Sequence, residues 1–120
     1  MAMNLLFVED EGDLRTIIVE ALRDQGYSVT AASDGREAIA YLRGDAHYDM
    51  VVTDVSMPGG VSGVDVATHA ATLQPAARVL IVSGLQRSQL PPIPPQAQLL
   101  LKPYRFNQLI AAIHAQSPAQ

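Results

Sequence analysis

The sequence predicts one α/β domain built on a doubly wound sheet of five parallel strands. Its 120 residues suit a single domain, and apolar runs of strand length alternate along it with helical patterns. The runs are apolar at successive positions, so both faces of each strand are expected to be buried under helices. We place the domain at residues 1–116 and expect residues 117–120 to form a flexible tail.

The first strand and the first helix carry clear signals. Asn4–Val8 is short and apolar, and it ends in three consecutive acids. Beyond them, apolar residues recur at the i, i+3, i+4, i+7 and i+8 spacing of one helix face, namely Leu14, Ile17, Ile18, Ala21 and Leu22. Gly26 is expected to end this helix, because glycine readily takes the conformation that closes helices.

The second strand, the second helix and the third strand follow without a break. Residues 27–32 are typical of a strand. Asp34 with Glu37 resembles a capping box, which predicts a helix that opens there and stops at Gly44. Residues 50–53 form the predicted third strand, and a Pro-Gly-Gly turn follows it.

The second half of the sequence continues the alternation. Residues 64–73 form an alanine-rich helix that closes before Pro75. Residues 78–82 and Ala97–Leu101 are the predicted fourth and fifth strands. A last helix carries one apolar face, made by Phe106, Leu109, Ile110 and Ile113.

The fourth helix is missing from this pattern. Where it is expected, between the last two strands, the sequence has prolines at positions 91, 92, 94 and 95. A proline inside a helix costs about 3 kcal/mol, so four exclude a regular one. We therefore predict that the fourth helix is shortened to a turn or replaced by a proline-rich extended loop.

The composition excludes several functional classes. A net charge of −4 argues against a nucleic-acid-binding surface, and the absence of cysteine leaves neither disulfides nor a thiolate zinc site. No apolar run approaches the roughly 18 residues of a membrane span, and the N-terminus lacks the basic segment of a signal peptide. We expect a cytoplasmic protein without nucleic-acid or membrane partners.

Polar side chains that can carry chemistry follow the predicted strands at their carboxyl ends, where open α/β sheets bind ligands. The first strand ends in Glu9 and Asp10, the third in Asp54, the fourth in Ser83 and the fifth in Lys102. Each alone is ordinary, as a loop acid, a helix-start acid, a turn serine or a surface lysine. Their arrival at one edge of the sheet predicts a common pocket.

The chemistry of that pocket points to a metal ion and a phosphoryl group. Crowded carboxylates repel one another unless a cation lies among them, and Mg²⁺ takes one or two carboxylates together with water and phosphate oxygens. We expect Asp10 and Asp54 to bind the ion directly and Glu9 to act through water. Lys102 and Ser83 then offer a positive charge and a hydrogen bond to an anionic group. An aspartate held in this way can attack phosphorus, and no organic cofactor is predicted.

Four motifs resemble those of a known family, the CheY-like receiver domains of bacterial two-component response regulators. They are LLFVEDE at the first strand, VVTDVSMPG at the third, VLIVSG at the fourth and LLLKPY at the fifth. The resemblance covers essentially the whole chain, and MPGGVSG with VSG looks closest to the receivers attached to hybrid histidine kinases. It implies the flavodoxin-like strand order 2-1-3-4-5.

The same resemblance implies a role for each residue of the pocket. Asp54 matches the phosphoacceptor, with Ser83 and Lys102 as its catalytic partners. The implied metal ligands are Glu9, Asp10, Asp54 and the backbone carbonyl of Ser56. The bond between Lys102 and Pro103 is expected to be cis.

The function that the resemblance implies is that of a signalling switch. The chain is expected to take its phosphoryl group from a sensor histidine kinase or a histidine phosphotransfer protein and to act on a downstream protein target. We expect no effector domain in this chain, and no enzymatic activity beyond its own phosphorylation and dephosphorylation.

Two departures from the family pattern leave an alternative open. Three positions before the lysine the family usually has an aromatic residue, and here that residue is Leu99. The proline-rich loop also replaces a helix that many members use to dock partners. The alternative is a phosphorylation-independent interaction module. A third hypothesis, a Mg²⁺-dependent phosphohydrolase, is weakened by Ser56, where such enzymes typically have a second carboxylate, and by the lack of a cap insertion.

Overall fold

The computed structural model describes residues 3–57 and 59–115. The strands are β1 (Asn4–Val8), β2 (Ser28–Ala32), β3 (Met50–Asp54), β4 (Arg78–Ser83) and β5 (Ala97–Leu101). The helices are α1 (Gly12–Asp24), α2 (Gly35–Arg43), α3 (Gly63–Leu73) and α4 (Phe106–Ala115). The domain boundary predicted at residue 116, the tail at 117–120 and Pro58 of the Pro-Gly-Gly turn lie outside the described residues.

The strands form one sheet in the order β2-β1-β3-β4-β5, and every neighbouring pair is parallel. This confirms the predicted doubly wound sheet and its 2-1-3-4-5 order. β3 lies at the centre and is buried at all five positions. None of the described helices has both the length and the apolar character needed to cross a membrane.

Helices cover the two faces of the sheet with separate apolar layers. On one face α2 and α3 pack against side chains that include Val51 and Ile81. On the other face α1 and α4 pack against Val52 and Leu80. Because successive residues of a strand point to opposite faces, two covered faces require apolar residues at every position.

Helix α1 buries most of the predicted apolar face, with one exception. Ile18, Val19 and Leu22 are buried, whereas Ile17 is 65% exposed. Ile17 and Val19 lie about 100° to either side of Ile18 around the helix, so α1 cannot bury both. Because Val19 is the residue turned toward β2, where it lies near Ala31, Ile17 is the one residue of the predicted apolar face that is left exposed.

The helix starts are capped locally. Asp34 accepts a hydrogen bond from the backbone N–H of Glu37 at 2.8 Å, while the Glu37 carboxylate accepts one from the backbone N–H of Ser33 at 2.6 Å. The predicted box is therefore present, with its second bond one residue earlier than expected. Ser62 and Asp65 form a reciprocal capping box that begins α3.

Between β4 and β5 the chain forms a single 3₁₀ turn, Arg87–Gln89, and then an irregular extended segment. This confirms that the fourth helix is replaced by a proline-rich loop. Leu90 and Ile93 pack against the apolar layer of α2 and α3, while Pro91 and Pro92 are exposed. Two anchored side chains thus help to cover an area that a helix would otherwise cover.

Candidate functional site

Three carboxylates meet at the carboxyl edge of the sheet. β1 and β3 are neighbours that pair Val8 with Thr53, and the next residues, Glu9 and Asp54, therefore lie side by side. Oxygens of Glu9, Asp10 and Asp54 all lie within 4.8 Å of one another. Glu9 and Asp54 are buried and Asp10 is exposed, so the group opens to solvent on one side.

Lys102 brings a positive charge to this group. Its Nζ donates a hydrogen bond to Oδ2 of Asp54 at 3.0 Å, the only ion pair in the described part of the chain. The Lys102 backbone N–H donates to the carbonyl of Ser83 at 2.7 Å, which fixes the start of the side chain beside β4. The Lys102 side chain is 38% exposed and that of Asp54 is 8% exposed, so the ammonium lies at the mouth of the pocket. The Lys102–Pro103 bond is cis, as expected.

Burial and charge conflict at Glu9. Burial raises the pKa of the Glu9 carboxyl, and repulsion from Asp54 and Asp10 adds to the effect. Two contacts oppose it, the Glu11 backbone N–H that donates to Oε2 of Glu9 at 3.1 Å and the charge of Lys102. Three carboxylates beside one ammonium leave an excess of negative charge. That excess, together with an all-oxygen set of donors, fits a hard divalent cation such as Mg²⁺.

Ser83 reaches the same edge, but its hydroxyl is engaged elsewhere. The hydroxyl donates to the carbonyl of Leu85 at 2.9 Å and accepts from the Leu85 N–H at 2.8 Å. It makes no hydrogen bond to Asp54 or Lys102. Ser56 lies at the surface two residues beyond Asp54. The catalytic role of Ser83 and the metal-binding role of the Ser56 carbonyl stay predictions.

Two residues near the pocket were missed by sequence reasoning. Tyr104 lines the same groove as Lys102; burial raises the pKa of its hydroxyl, and the negative charges of Glu9 and Asp54 raise it further. Arg15 donates from Nη1 to the carbonyl of Glu9 at 2.8 Å. The sequence did hold a signal for each of them. Tyr104 directly follows Lys-Pro, and Arg15 lies in the first turn of the helix that follows the acids.

The aromatic ring near the pocket approaches from the face opposite to that of Leu99. Leu99 is half-buried and packs with Leu90 and Ile93 against the layer of α2 and α3. Tyr104 packs against the layer of α1 and α4. Position 99, where the family usually has an aromatic residue, and Tyr104 therefore lie on different sides of the sheet.

Comparison with known proteins identifies the family. Residues 5–114 match the response regulator receiver domain. The response regulator receiver protein CpdR of Brucella abortus is 30% identical over 112 residues, which cover 91% of this chain and 92% of that protein. Several other curated relatives are longer, and this chain spans about half of their length.

Solved structures agree with the match. The receiver domain of the hybrid histidine kinase CckA is 31% identical with a TM-score of 0.79, covering 94% of this chain and 97% of that one. The response regulator TrrA of Thermotoga maritima, solved in complex with Mg²⁺ and BeF, is 28% identical with a TM-score of 0.80, covering 96% and 99%. The matched residues include every strand end that contributes to the acidic pocket. The chain belongs to the receiver domain family of bacterial two-component response regulators.

Proposed function

We propose that this receiver domain is a switch phosphorylated on Asp54 by a sensor histidine kinase or a histidine phosphotransfer protein, with Mg²⁺ bound beside it. One observation carries the proposal: the buried Asp54 carboxylate is held by Lys102 at 3.0 Å within a group of three carboxylates. The domain catalyses its own phosphorylation and dephosphorylation, and it passes the signal to a downstream protein.

The chemical step is an in-line transfer. A carboxylate oxygen of Asp54 forms a bond to phosphorus while the bond from phosphorus to the imidazole nitrogen of the donor breaks. The imidazole takes the electron pair of that bond and leaves neutral, because its other ring nitrogen carries a proton. Lys102 orients Asp54 before attack and offers a fixed positive charge to the phosphoryl oxygens. Bound Mg²⁺ supplies further charge neutralisation, which such a transfer needs more than covalent help.

The proposed metal ligands are Glu9, Asp10, Asp54 and the backbone carbonyl of Ser56. The excess of carboxylates over ammonium groups supports this set, and so does the raised pKa of Glu9. The Mg²⁺ and BeF bound to Thermotoga maritima TrrA give further support, since that protein is 28% identical to this chain over nearly its full length.

Ser83 is the proposed link between the phosphoryl group and the neighbouring loop. In the structure its hydroxyl binds both the N–H and the carbonyl of Leu85. A phosphoryl group on Asp54 offers strong acceptor oxygens, and because the hydroxyl has one proton, donating to them ends its hydrogen bond to the Leu85 carbonyl. The loop that leads into the proline-rich segment then loses this bond, and also the bond from the Leu85 N–H if Oγ moves with the hydroxyl proton, which changes the surface offered to a downstream target.

The phosphodonor protein is proposed to dock on a groove beside the pocket. The groove has a volume of about 390 Å³ and is lined by Leu14, Ile18, Lys102, Pro103, Tyr104 and Phe106. Ile17 is exposed on α1, three residues after Leu14 of the lining and therefore its neighbour on the helix surface. Apolar side chains around an ammonium that already touches Asp54 suit a partner that must deliver a phosphorylated imidazole at this point.

The test is intact mass spectrometry after incubation with acetyl phosphate and MgCl₂. The wild-type protein is expected to gain one phosphoryl group, and the gain is expected to disappear with EDTA or in the Asp54→Asn variant. Phosphorylation of Asp54→Asn at the wild-type rate would show that another residue is the acceptor.

The alternative, a phosphorylation-independent interaction module, is favoured by two features of the structure. The Ser83 hydroxyl is satisfied by Leu85, and Leu99 has no ring that can move with it. Amide NMR spectra with and without beryllofluoride and Mg²⁺ separate the two functions. A switch shifts the amides of residues 83–97 as well as those of the pocket, whereas a module that binds the mimic without responding shifts the pocket amides alone.

A further inference from the structure

We infer that Arg15 is a positioning residue of the acidic pocket, and this role rests on the proposed function. Its guanidinium group holds the turn between β1 and α1 in the conformation in which Glu9 and Asp10 present their carboxylates to a divalent cation. Arg15 itself does not touch the cation. It acts through the backbone of the two acids.

The turn is held at several points. The Glu9 N–H donates to the carbonyl of Ala32 at 3.0 Å, which continues the pairing of β1 with β2. The Glu9 carboxylate accepts from the Glu11 N–H at 3.1 Å. Arg15 adds the third contact, because its Nη1 donates to the Glu9 carbonyl at 2.8 Å and lies 3.5 Å from the Asp10 carbonyl.

These contacts fix the direction of the chain where it leaves the sheet. Both peptide carbonyls that Arg15 approaches belong to residues whose side chains enter the acidic group. Rotation of either peptide moves a carboxylate out of its place in the group, and a cation with strict octahedral geometry tolerates little such movement. Loss of the guanidinium therefore weakens cation binding although every ligand remains.

The positive charge of Arg15 acts on cation binding in the opposite direction to its positioning contacts. Arg15 forms no ion pair with Glu9, Asp10 or Asp54 in the described part of the chain, and its positive charge repels a cation bound nearby. If charge alone mattered, removal of Arg15 would strengthen Mg²⁺ binding. Whether Mg²⁺ affinity falls or rises when Arg15 is removed therefore separates positioning from the effect of charge. High salt suppresses the effect of charge.

Arg23 provides a matched control on the same helix. Its Nη2 donates to the carbonyl of Val29 at 2.9 Å, again a partly buried bond from a guanidinium of α1 to a backbone carbonyl. Val29 lies within β2, away from the acidic group. Replacing either arginine with methionine removes one such bond and one charge, but only Arg15 holds the turn of the acids.

The experiment is calorimetric titration of the metal-free wild-type, Arg15→Met and Arg23→Met proteins with MgCl₂, in low salt and in about 1 M KCl, where the Debye length is about 3 Å. We expect Arg15→Met to bind Mg²⁺ about tenfold more weakly, as is found when groups that orient metal ligands are removed. The loss should persist in 1 M KCl. Arg23→Met should bind as the wild type does, while urea unfolding shows a similar loss of stability for both variants.

Equal or tighter Mg²⁺ binding by folded Arg15→Met, beside a wild type that binds, overturns the role of Arg15 and leaves the proposed function standing. A wild-type protein that binds no Mg²⁺ overturns both. If Arg15→Met does not fold, Arg15→Gln replaces it, because the shorter glutamine amide cannot span the same distance to the Glu9 carbonyl, and the same outcomes apply.

Discussion

At the scale of single residues, Glu9 shows how this pocket combines burial with charge. It is 5% exposed, and its carboxylate accepts from one backbone N–H, that of Glu11. Burial raises its pKa above the ordinary 4.5, and the charges of Asp54 and Asp10 add to that effect. The folded, metal-free protein therefore holds a proton on Glu9 at pH values where the unfolded chain has already released it.

This difference predicts a pH dependence of stability. Between pH 4.5 and the raised folded pKa, the folded state binds more protons than the unfolded state, so the free energy of unfolding of the metal-free protein falls as the pH rises through that window. Glu9→Gln has no proton to release and should lose this part of the slope, becoming more stable than the wild type at neutral pH. Urea unfolding in EDTA over a pH series from 4.5 upward measures both effects. Identical slopes for the two proteins would contradict the assignment of the slope to Glu9.

At the scale of elements, the contact between α3 and the end of β3 positions Asp54. Gly63 begins α3, and its N–H donates to the carbonyl of Val55 at 2.9 Å. A Cβ at Gly63 would overlap the Asp54 carbonyl oxygen and lie 2.8 Å from the Cα of Val55. The helix can approach the strand end this closely only because residue 63 has no side chain.

Gly63→Ala is therefore expected to destabilise the protein by about 2 kcal/mol or more, as overpacking against a rigid backbone does. Gly12→Ala is the control, because Gly12 also begins a helix and its added Cβ would meet only Arg15 Nη2, at 3.7 Å. That change should be neutral or slightly stabilising. Equilibrium urea unfolding compares the two. Equal effects would show that the approach of α3 to Asp54 is not as close as the structure has it.

The elements also show how far the sequence determines the site. The strand ends were predictable, since five apolar runs alternate with helices and parallel strands bring their carboxyl ends to one edge; Glu9, Asp10, Asp54, Ser83 and Lys102 all lie there. The choice that a side chain makes between two alternatives of nearly equal energy was not predictable. Whether α1 buries Ile17 or Val19 depends on how the helix rolls on β2, and whether Ser83 bonds Leu85 or Asp54 depends on backbone geometry. Neither choice leaves a periodic pattern in the sequence.

At the scale of the whole molecule, the two faces of the sheet differ around the pocket. On one side the apolar groove between α1 and α4 reaches Lys102, with Ile17 exposed beside it. On the other side the proline-rich segment takes the place of a helix, anchored by Leu90 and Ile93. The proposed function uses this asymmetry, with the phosphodonor docking on the groove and the loop responding.

The assignment of the groove predicts the behaviour of a surface variant. Ile17→Asp places a charge at the edge of the groove without touching the acidic pocket. It should slow phosphoryl transfer from a phosphohistidine-containing protein by about tenfold, which corresponds to a loss of about 1.4 kcal/mol of contact energy, and leave transfer from acetyl phosphate unchanged. Leu73→Asp is the control, because Leu73 is an exposed apolar residue of α3, on the other face of the sheet. If Ile17→Asp slows both donors equally, or neither, the groove is not the docking site.

Locating the phosphoryl group in the sequence shows whether Asp54 is the side chain that carries it. After incubation with acetyl phosphate and MgCl₂, borohydride reduces an aspartyl phosphate to homoserine, and peptide mass spectrometry identifies the converted position. We predict homoserine at position 54, dependent on Mg²⁺ and absent without acetyl phosphate. Conversion at Asp10 or Glu9 instead, or no conversion in a protein shown to be folded, would contradict this prediction.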